Sequence, residues 1–152
     1  MKKYILLENI RSLNNVWAIF RCADWAWFDK IILTGYTPLP PRKEITKTAL
    51  WAEEFVLWEY YKSSTQAVDI LKKQNIEIIS AELTENSIDI YDLNKKDFKG
   101  KEWICIVMWN EINGVSDEVI NKSDLLVQIP MRWMKESLNV SVAAWIIMYA
   151  IN

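Results

Sequence analysis

Three short polar stretches hold the residues that could do chemistry in this chain. Asn15 and Arg21 stand in Asn-Asn-Val-Trp-Ala-Ile-Phe-Arg, and Glu111 follows Asn110 in Met-Trp-Asn-Glu-Ile-Asn-Gly. Ser137 and Asn139 stand in Lys-Glu-Ser-Leu-Asn-Val-Ser. An Asn and a Glu directly after an apolar strand are well placed for a ligand crevice at the carboxyl end of a parallel sheet. Each stretch also has a plain structural reading: an N-cap Asn with a solvated Arg, a turn before a Ser116 cap, and a capped final helix. There is no histidine, which removes histidine triads, histidine zinc sites and the usual neutral-pH general base. Chemistry is left to carboxylates, Arg, Lys, Ser, Tyr and backbone groups. Cys22 and Cys105 lie in apolar runs and read as reduced core thiols, with no metal site.

Hydrophobic periodicity supplies the elements that must position these groups. Strands are expected at Lys3–Leu7, Lys30–Thr34, Phe55–Tyr61, Ile76–Leu83, Ile104–Met108 and Leu125–Pro130. Helices are expected at Asn14–Phe28, Ile45–Glu54, Thr65–Lys73, Ser116–Lys122 and Ser137–Ala150. Tyr36–Lys43, with three of the four prolines, reads as a loop, and Thr84–Lys101 as polar and turn-rich. Short apolar strands alternating with helices indicate an α/β domain around a mainly parallel sheet. The 152 residues, 51% apolar and 25% charged, read as one domain spanning 1–152.

No apolar run approaches the roughly 18 residues of a membrane helix. The opening Met-Lys-Lys-Tyr-Ile-Leu-Leu-Glu imitates a signal peptide only until Glu8 and Arg11, so it reads as the first strand of a cytoplasmic protein. Net charge is −2, so a nucleic-acid partner would need a local basic patch. Arg11, Arg42, Lys43, Lys47, Arg132 and Lys135 are the candidates for phosphate contacts. Neither a Gly-rich phosphate loop nor a Walker lysine is present, which disfavours other kinds of nucleotide-binding module.

Nine tryptophans against three glycines is the anomaly of the composition. Returning eight of them to glycine would restore the average glycine content of about 7%. Trp17, Trp109 and Trp133 lie at strand-to-loop junctions or turns, and Trp25 and Trp27 at a helix-to-strand join, where glycine is useful. Trp145 is mid-helix among small residues; Trp51 and Trp103 complete the set, while Trp58 reads as a genuine strand aromatic. These eight are expected to be glycine positions decoded as tryptophan, as when a UGA codon is read with the wrong code. The alternative is an unusually aromatic core.

In this order and spacing, the three stretches resemble the three motifs of the SpoU/TrmH class of SPOUT RNA methyltransferases. The likeness runs from about Leu7 to Tyr149. It is most specific in Ile-Pro-Met-Arg-x-Met-Lys-Glu-Ser-Leu-Asn-Val-Ser-Val-Ala-Ala, then in Val-Met-x-Asn-Glu-Ile-Asn-Gly-Val-Ser and Asn-Val-x-Ala-Ile-Phe-Arg. At each x this chain has Trp133, Trp109 or Trp17 where the family has glycine; Trp25, Trp27, Trp51 and Trp145 also fall on common family glycines.

The resemblance implies a SPOUT-type α/β fold with a C-terminal trefoil knot, and a homodimer whose active sites draw on both subunits. It implies S-adenosylmethionine held by backbone groups near Trp109, Ile129 and Leu138, with Met131 and Ser137 nearby. It implies methyl transfer to a ribose 2′-hydroxyl of tRNA or rRNA, a compact tRNA feature being favoured. Arg21 would be closest to the chemistry, with Asn15, Glu111, Ser137 and Asn139 around it, and Arg11, Arg42, Lys43, Arg132 and Lys135 on the RNA. No metal and no membrane are implied. Were Trp109 and Trp133 to obstruct the cofactor pocket, the chain would instead be a catalytically inactive knot-fold RNA-binding domain.

Overall fold

The computed structural model describes residues 1–40, 56–93, 100–131 and 138–152. Seven strands are present there: β1 (Lys2–Glu8), β2 (Lys30–Thr34), β3 (Leu57–Tyr61), β4 (Glu77–Ala81), β5 (Ile88–Asp89), β6 (Trp103–Met108) and β7 (Leu125–Gln128). The helices are α1 (Leu13–Trp25), α2 (Ser64–Lys73), α3 (Asp117–Ile120) and α4 (Val140–Ala150). The strands form one sheet in the order β3-β2-β1-β6-β4-β7-β5, and every pair is parallel.

The central strands read as continuous apolar runs because both sheet faces are covered. Ile5 and Leu7 face Phe20 and Ala23 of α1 and Ala144, Ile147 and Met148 of α4. Tyr4 and Leu6 point the other way, onto Ala67, Val68 and Leu71 of α2 and Val119 of α3. Cys105 is fully buried and Cys22 nearly so; burial pushes the Cys22 thiol up to about 11 and raises that of Cys105, which keeps both protonated and inert.

Chain order places the site. After β1 the sheet grows outward through β2 and β3, and β4 then starts the opposite wing. β6 fills the gap between β1 and β4. The carboxyl ends of β1, β6 and β4 are thus neighbours where the winding reverses, the position at which open parallel sheets hold ligands.

Several boundaries differ from expectation for local reasons. α1 starts at Leu13, not Asn14, because Ser12 is the N-cap and its Oγ accepts from Asn15 N at 3.3 Å. It stops at Trp25, not Phe28, in a Schellman motif: Phe28 N donates to Ala23 O (2.9 Å) and Trp27 N to Asp24 O (3.2 Å), with Trp27 at φ +56°. β4 ends at Ala81, two residues short of the expected Leu83, and β7 ends at Gln128. α4 begins at Val140 because Asn139 is its N-cap, accepting from Ser141 N at 2.9 Å. The polar stretch 84–101 contains the short strand β5. The expected helix Ile45–Glu54 lies outside the described residues, as does the stretch 132–137. Among the described residues no helix is long and apolar enough to cross a membrane.

Candidate active site

Asn110, buried at the end of β6, ties two loops together. Its Nδ2 donates to Asn9 O (2.5 Å) and to Tyr36 Oη (2.6 Å), and its Oδ1 accepts from Ile112 N (2.9 Å) and Asn113 N (3.0 Å). The first pair fixes the loops after β1 and β2 against the loop after β6; the second folds residues 110–113 into a turn. That turn sends Glu111 back to the start of α1. Its Oε2 accepts from Arg11 N (2.9 Å), and its Oε1 accepts from Ser12 N (3.0 Å) and Asn15 Nδ2 (3.2 Å). Burial acts to raise the Glu111 carboxyl, but these N–H donors outweigh it and hold it below the ordinary carboxylate range.

Asn15 passes the connection on. Its Oδ1 accepts from Asn139 Nδ2 at 3.1 Å, and Asn139 Oδ1 accepts from Ser141 Oγ (2.6 Å) while capping α4. The three polar stretches, far apart in sequence, therefore meet in one hydrogen-bonded chain, Glu111–Asn15–Asn139.

That chain rims a cavity of about 440 Å3 between the carboxyl ends of the strands and α4. Val127, Ile129, Leu138, Val140, Ile147 and Trp109 supply apolar wall; Glu82, Gln128, Asn110, Glu111 and Asn139 supply polar groups, with Met131 at the side. Among the described lining residues there is no Lys or Arg. The expected cofactor contacts Trp109, Ile129, Met131 and Leu138 all line it, as do Glu111 and Asn139.

Arg21 does not line it. Arg21 stands six positions on from Asn15, about 9 Å along the helix axis, and its guanidinium carbon lies 5.8 Å from the Trp25 ring centroid. Arg11 is exposed and contributes its backbone N–H to Glu111. Ser137, Arg42, Lys43, Lys47, Arg132 and Lys135 lie outside the described residues. The N-cap expected of an Asn belongs instead to Ser12, and Ser116 makes no side-chain cap bond; its hydroxyl donates to Glu8 Oε1 at 2.6 Å.

Glu82 was missed by sequence reasoning. The expected strand ran on to Leu83, which made Glu82 an interior strand residue; the strand ends at Ala81 and frees Glu82 for the cavity wall. An acidic residue just after an apolar run was the available signal.

The tryptophans fall into different environments. Trp27 occupies the left-handed C′ position of the Schellman motif and is 84% exposed, where a Cβ costs roughly 1–2 kcal/mol. The same motif ends α2 with Asn75 at φ +59°, a residue type that tolerates the conformation. Trp17 is 1% exposed and its Nε1 has no hydrogen-bond partner, so burial there leaves a donor unpaired. Trp145 lies 5.9 Å from Trp25 and 4.7 Å from Tyr149, centroid to centroid, and packs partly buried against the core. Trp103 is well housed: it packs edge-on against Tyr4, and Lys2 Nζ sits 4.6 Å from its centroid. Trp109 packs against both halves of the core and forms a wall of the cavity without filling it. Trp51 and Trp133 lie outside the described residues.

Comparison with known proteins places this arrangement. The Escherichia coli K12 tRNA (guanosine(18)-2′-O)-methyltransferase is 28% identical over 145 residues, covering 95% of this chain and 60% of that protein; the chain thus spans about 60% of that relative's length. The A. aeolicus TrmH/SpoU tRNA modifying enzyme superposes with a TM-score of 0.85 at 24% identity, covering 99% of this chain and 73% of that one. The SpoU methyltransferase AviRb of Streptomyces viridochromogenes, in complex with the cofactor AdoMet, gives 0.85 at 20% identity over 97% of this chain and 58% of its own. The all-parallel α/β fold is that of the SpoU/TrmH methyltransferases, and the match of residues 2–149 to the SpoU rRNA Methylase family profile shows that the chain belongs to this family.

Proposed function

We propose that the chain transfers the methyl group of S-adenosylmethionine to a ribose 2′-hydroxyl of RNA. The observation that carries this reading is the Glu111–Asn15–Asn139 chain standing at the rim of the cavity. Family membership and the name of the E. coli relative support the reaction type.

The residues present fit the cofactor. A cavity of about 440 Å3 lies within the usual range for small-ligand sites, roughly 300–1,000 Å3. Ile129, Leu138, Val140 and Ile147 offer an apolar slot for a flat base, and peptide groups at 109, 129 and 138 can read its edge. The carboxylates of Glu82 and Glu111 on the wall suit a ligand that carries positive charge. When bound, the cofactor supplies an electrophilic methyl whose carbon bonds the ribose oxygen as its bond to sulfur breaks.

The chain's own residues align the acceptor, which is the main requirement of such a displacement. Arg21 holds the target phosphate and steers the hydroxyl; its guanidinium stays protonated, so the released proton goes to a phosphate oxygen or water. Glu111 fixes the loop after β6 to the start of α1, and Asn15 and Asn139 hold the rim in register. Ser137 completes the set. Arg11, Arg42, Lys43, Arg132 and Lys135 contact the RNA backbone, and the acceptor is a compact feature of tRNA.

The active form is a homodimer in the cytoplasm, where its RNA substrates are. The support for the dimer is that Arg21 lies off the cavity of its own chain, beside exposed Trp25, whose carbonyl accepts from Tyr149 Oη. Pairing through that side would let Arg21 of the partner subunit serve the cavity. The C-terminal segment forms the trefoil knot.

The polypeptide made in its own cell carries glycine at the motif positions held here by Trp17, Trp109 and Trp133, and at Trp25, Trp27, Trp51 and Trp145. The left-handed φ of Trp27 and the unpaired indole N–H of Trp17 support this; the packing of Trp103 gives that position no such signal. Peptide mass spectrometry of the native protein across 102–122 should find glycine at 109, and tryptophan there would overturn it. The activity is tested by mapping 2′-O-methyl sites in RNA from cells with and without the gene. Loss at one or a few nucleotides is expected; an unchanged map would contradict the reading.

A further inference from the structure

The cavity wall carries two carboxylates, and they are bonded differently. Glu111 accepts from three donors belonging to Arg11, Ser12 and Asn15. Glu82, the residue after β4, accepts one N–H on each oxygen: Leu83 N on Oε1 at 3.0 Å and Val115 N on Oε2 at 2.7 Å. An ionised carboxylate offers about four lone-pair sites, so each oxygen of Glu82 retains one.

The loop after β6 is shaped around this side chain. Gly114 has φ +71°, and a Cβ there would stand 2.4 Å from Glu82 Oε2. A glycine at 114 and the N–H of Val115 therefore seat the carboxylate against the wall. Two fixed, adjacent acceptors match the two donors of a vicinal diol. In other parallel α/β sheets, an acidic residue holds a ribose hydroxyl beside the strand ends.

We propose that Glu82 takes the ribose hydroxyls of the cofactor. The inference rests on the cofactor reading above. Hydrogen bonds to a charged acceptor are the stronger kind, so each hydroxyl contributes to affinity.

The test is calorimetric titration of the chain with S-adenosylhomocysteine and with its 2′-deoxy and 3′-deoxy analogues. Each missing hydroxyl should weaken binding about ten-fold, the scale of a hydrogen bond to a charged group. In Glu82→Ala the parent ligand should bind about ten-fold or more weakly, and deleting a hydroxyl should then change affinity by less than about three-fold, a non-additive pattern. If the unmutated chain binds all three ligands equally, the inference is overturned. It is also overturned if the full ten-fold penalty persists in Glu82→Ala, or if that variant weakens all three ligands by one factor, as a mere loop tie would. The first arm varies only the ligand and stands whether or not the variant folds. Failure of the unmutated chain to bind S-adenosylhomocysteine would instead remove the cofactor reading, and this inference with it.

Discussion

Two faces of the molecule at the strand ends treat their carboxylates in opposite ways. On the side of α2 and α3, Glu8 closes β1 with only 2% of its surface exposed. Its Oε1 accepts from Ser64 Oγ (2.5 Å) and Ser116 Oγ (2.6 Å), and its Oε2 from Ser116 N (3.0 Å). On the cavity wall, Glu82 and Glu111 border open space. A buried carboxylate supplied with donors from two other segments is scaffolding, since an unpaired one would be costly. A carboxylate with acceptor sites left over on a cavity wall is available to a ligand. The closed face holds the strand ends in place; the open face uses them.

The sharpest way to break this contrast is at Arg21. Arg21→Ala should lower turnover about a hundred-fold or more, the scale of lost alignment, while cofactor affinity measured by titration stays nearly constant. Equal losses in both would remove Arg21 from the RNA side of the reaction. On the closed face, Glu8→Ala should lower unfolding stability by about 2–3 kcal/mol by stranding the donors of Ser64 and Ser116. Denaturant titration would show it, and ligand affinity of the folded fraction should be unchanged. A selective loss of affinity would mean that the faces are not separate.

Smaller effects sharpen the picture. Trp27→Gly should stabilise the chain by about 1 kcal/mol by relieving the left-handed backbone, seen as a higher denaturation midpoint; destabilisation would show that the exposed indole is wanted there. The smallest effect concerns Glu111, whose carboxyl is held low. Its contribution to stability is complete above the unfolded value of about 4.3 and is lost as pH falls through the lower folded value. Glu111→Gln should remove that acid-side dependence, and an unchanged pH profile of the midpoint would contradict the bonding described.

What could be read from the sequence depended on how local the cause was. The apolar runs Lys30–Thr34 and Ile104–Met108 were legible because burial on both faces leaves nearly uninterrupted Ile, Val and Leu. The motif residues Asn15, Glu111 and Asn139 were legible as a set through family likeness, but not their mutual bonds, which join positions about a hundred residues apart. Boundaries failed where a side chain, rather than periodicity, ends the element. Ser12 and Asn139 cap helices expected to start elsewhere, and Glu82 was absorbed into a strand that stops one residue earlier. Glu8 reads in sequence as the polar end of an apolar strand. Only the approach of Ser64 and Ser116 shows why a carboxylate can be buried there.

The most direct test of the account is a methyl-transfer assay. The purified chain with glycine at the motif positions would be incubated with labelled S-adenosylmethionine and tRNA, and the RNA digested to nucleosides for mass analysis. The label should appear in a 2′-O-methylnucleoside. Label in a methylated base, or none in RNA although the cofactor binds, would contradict the account.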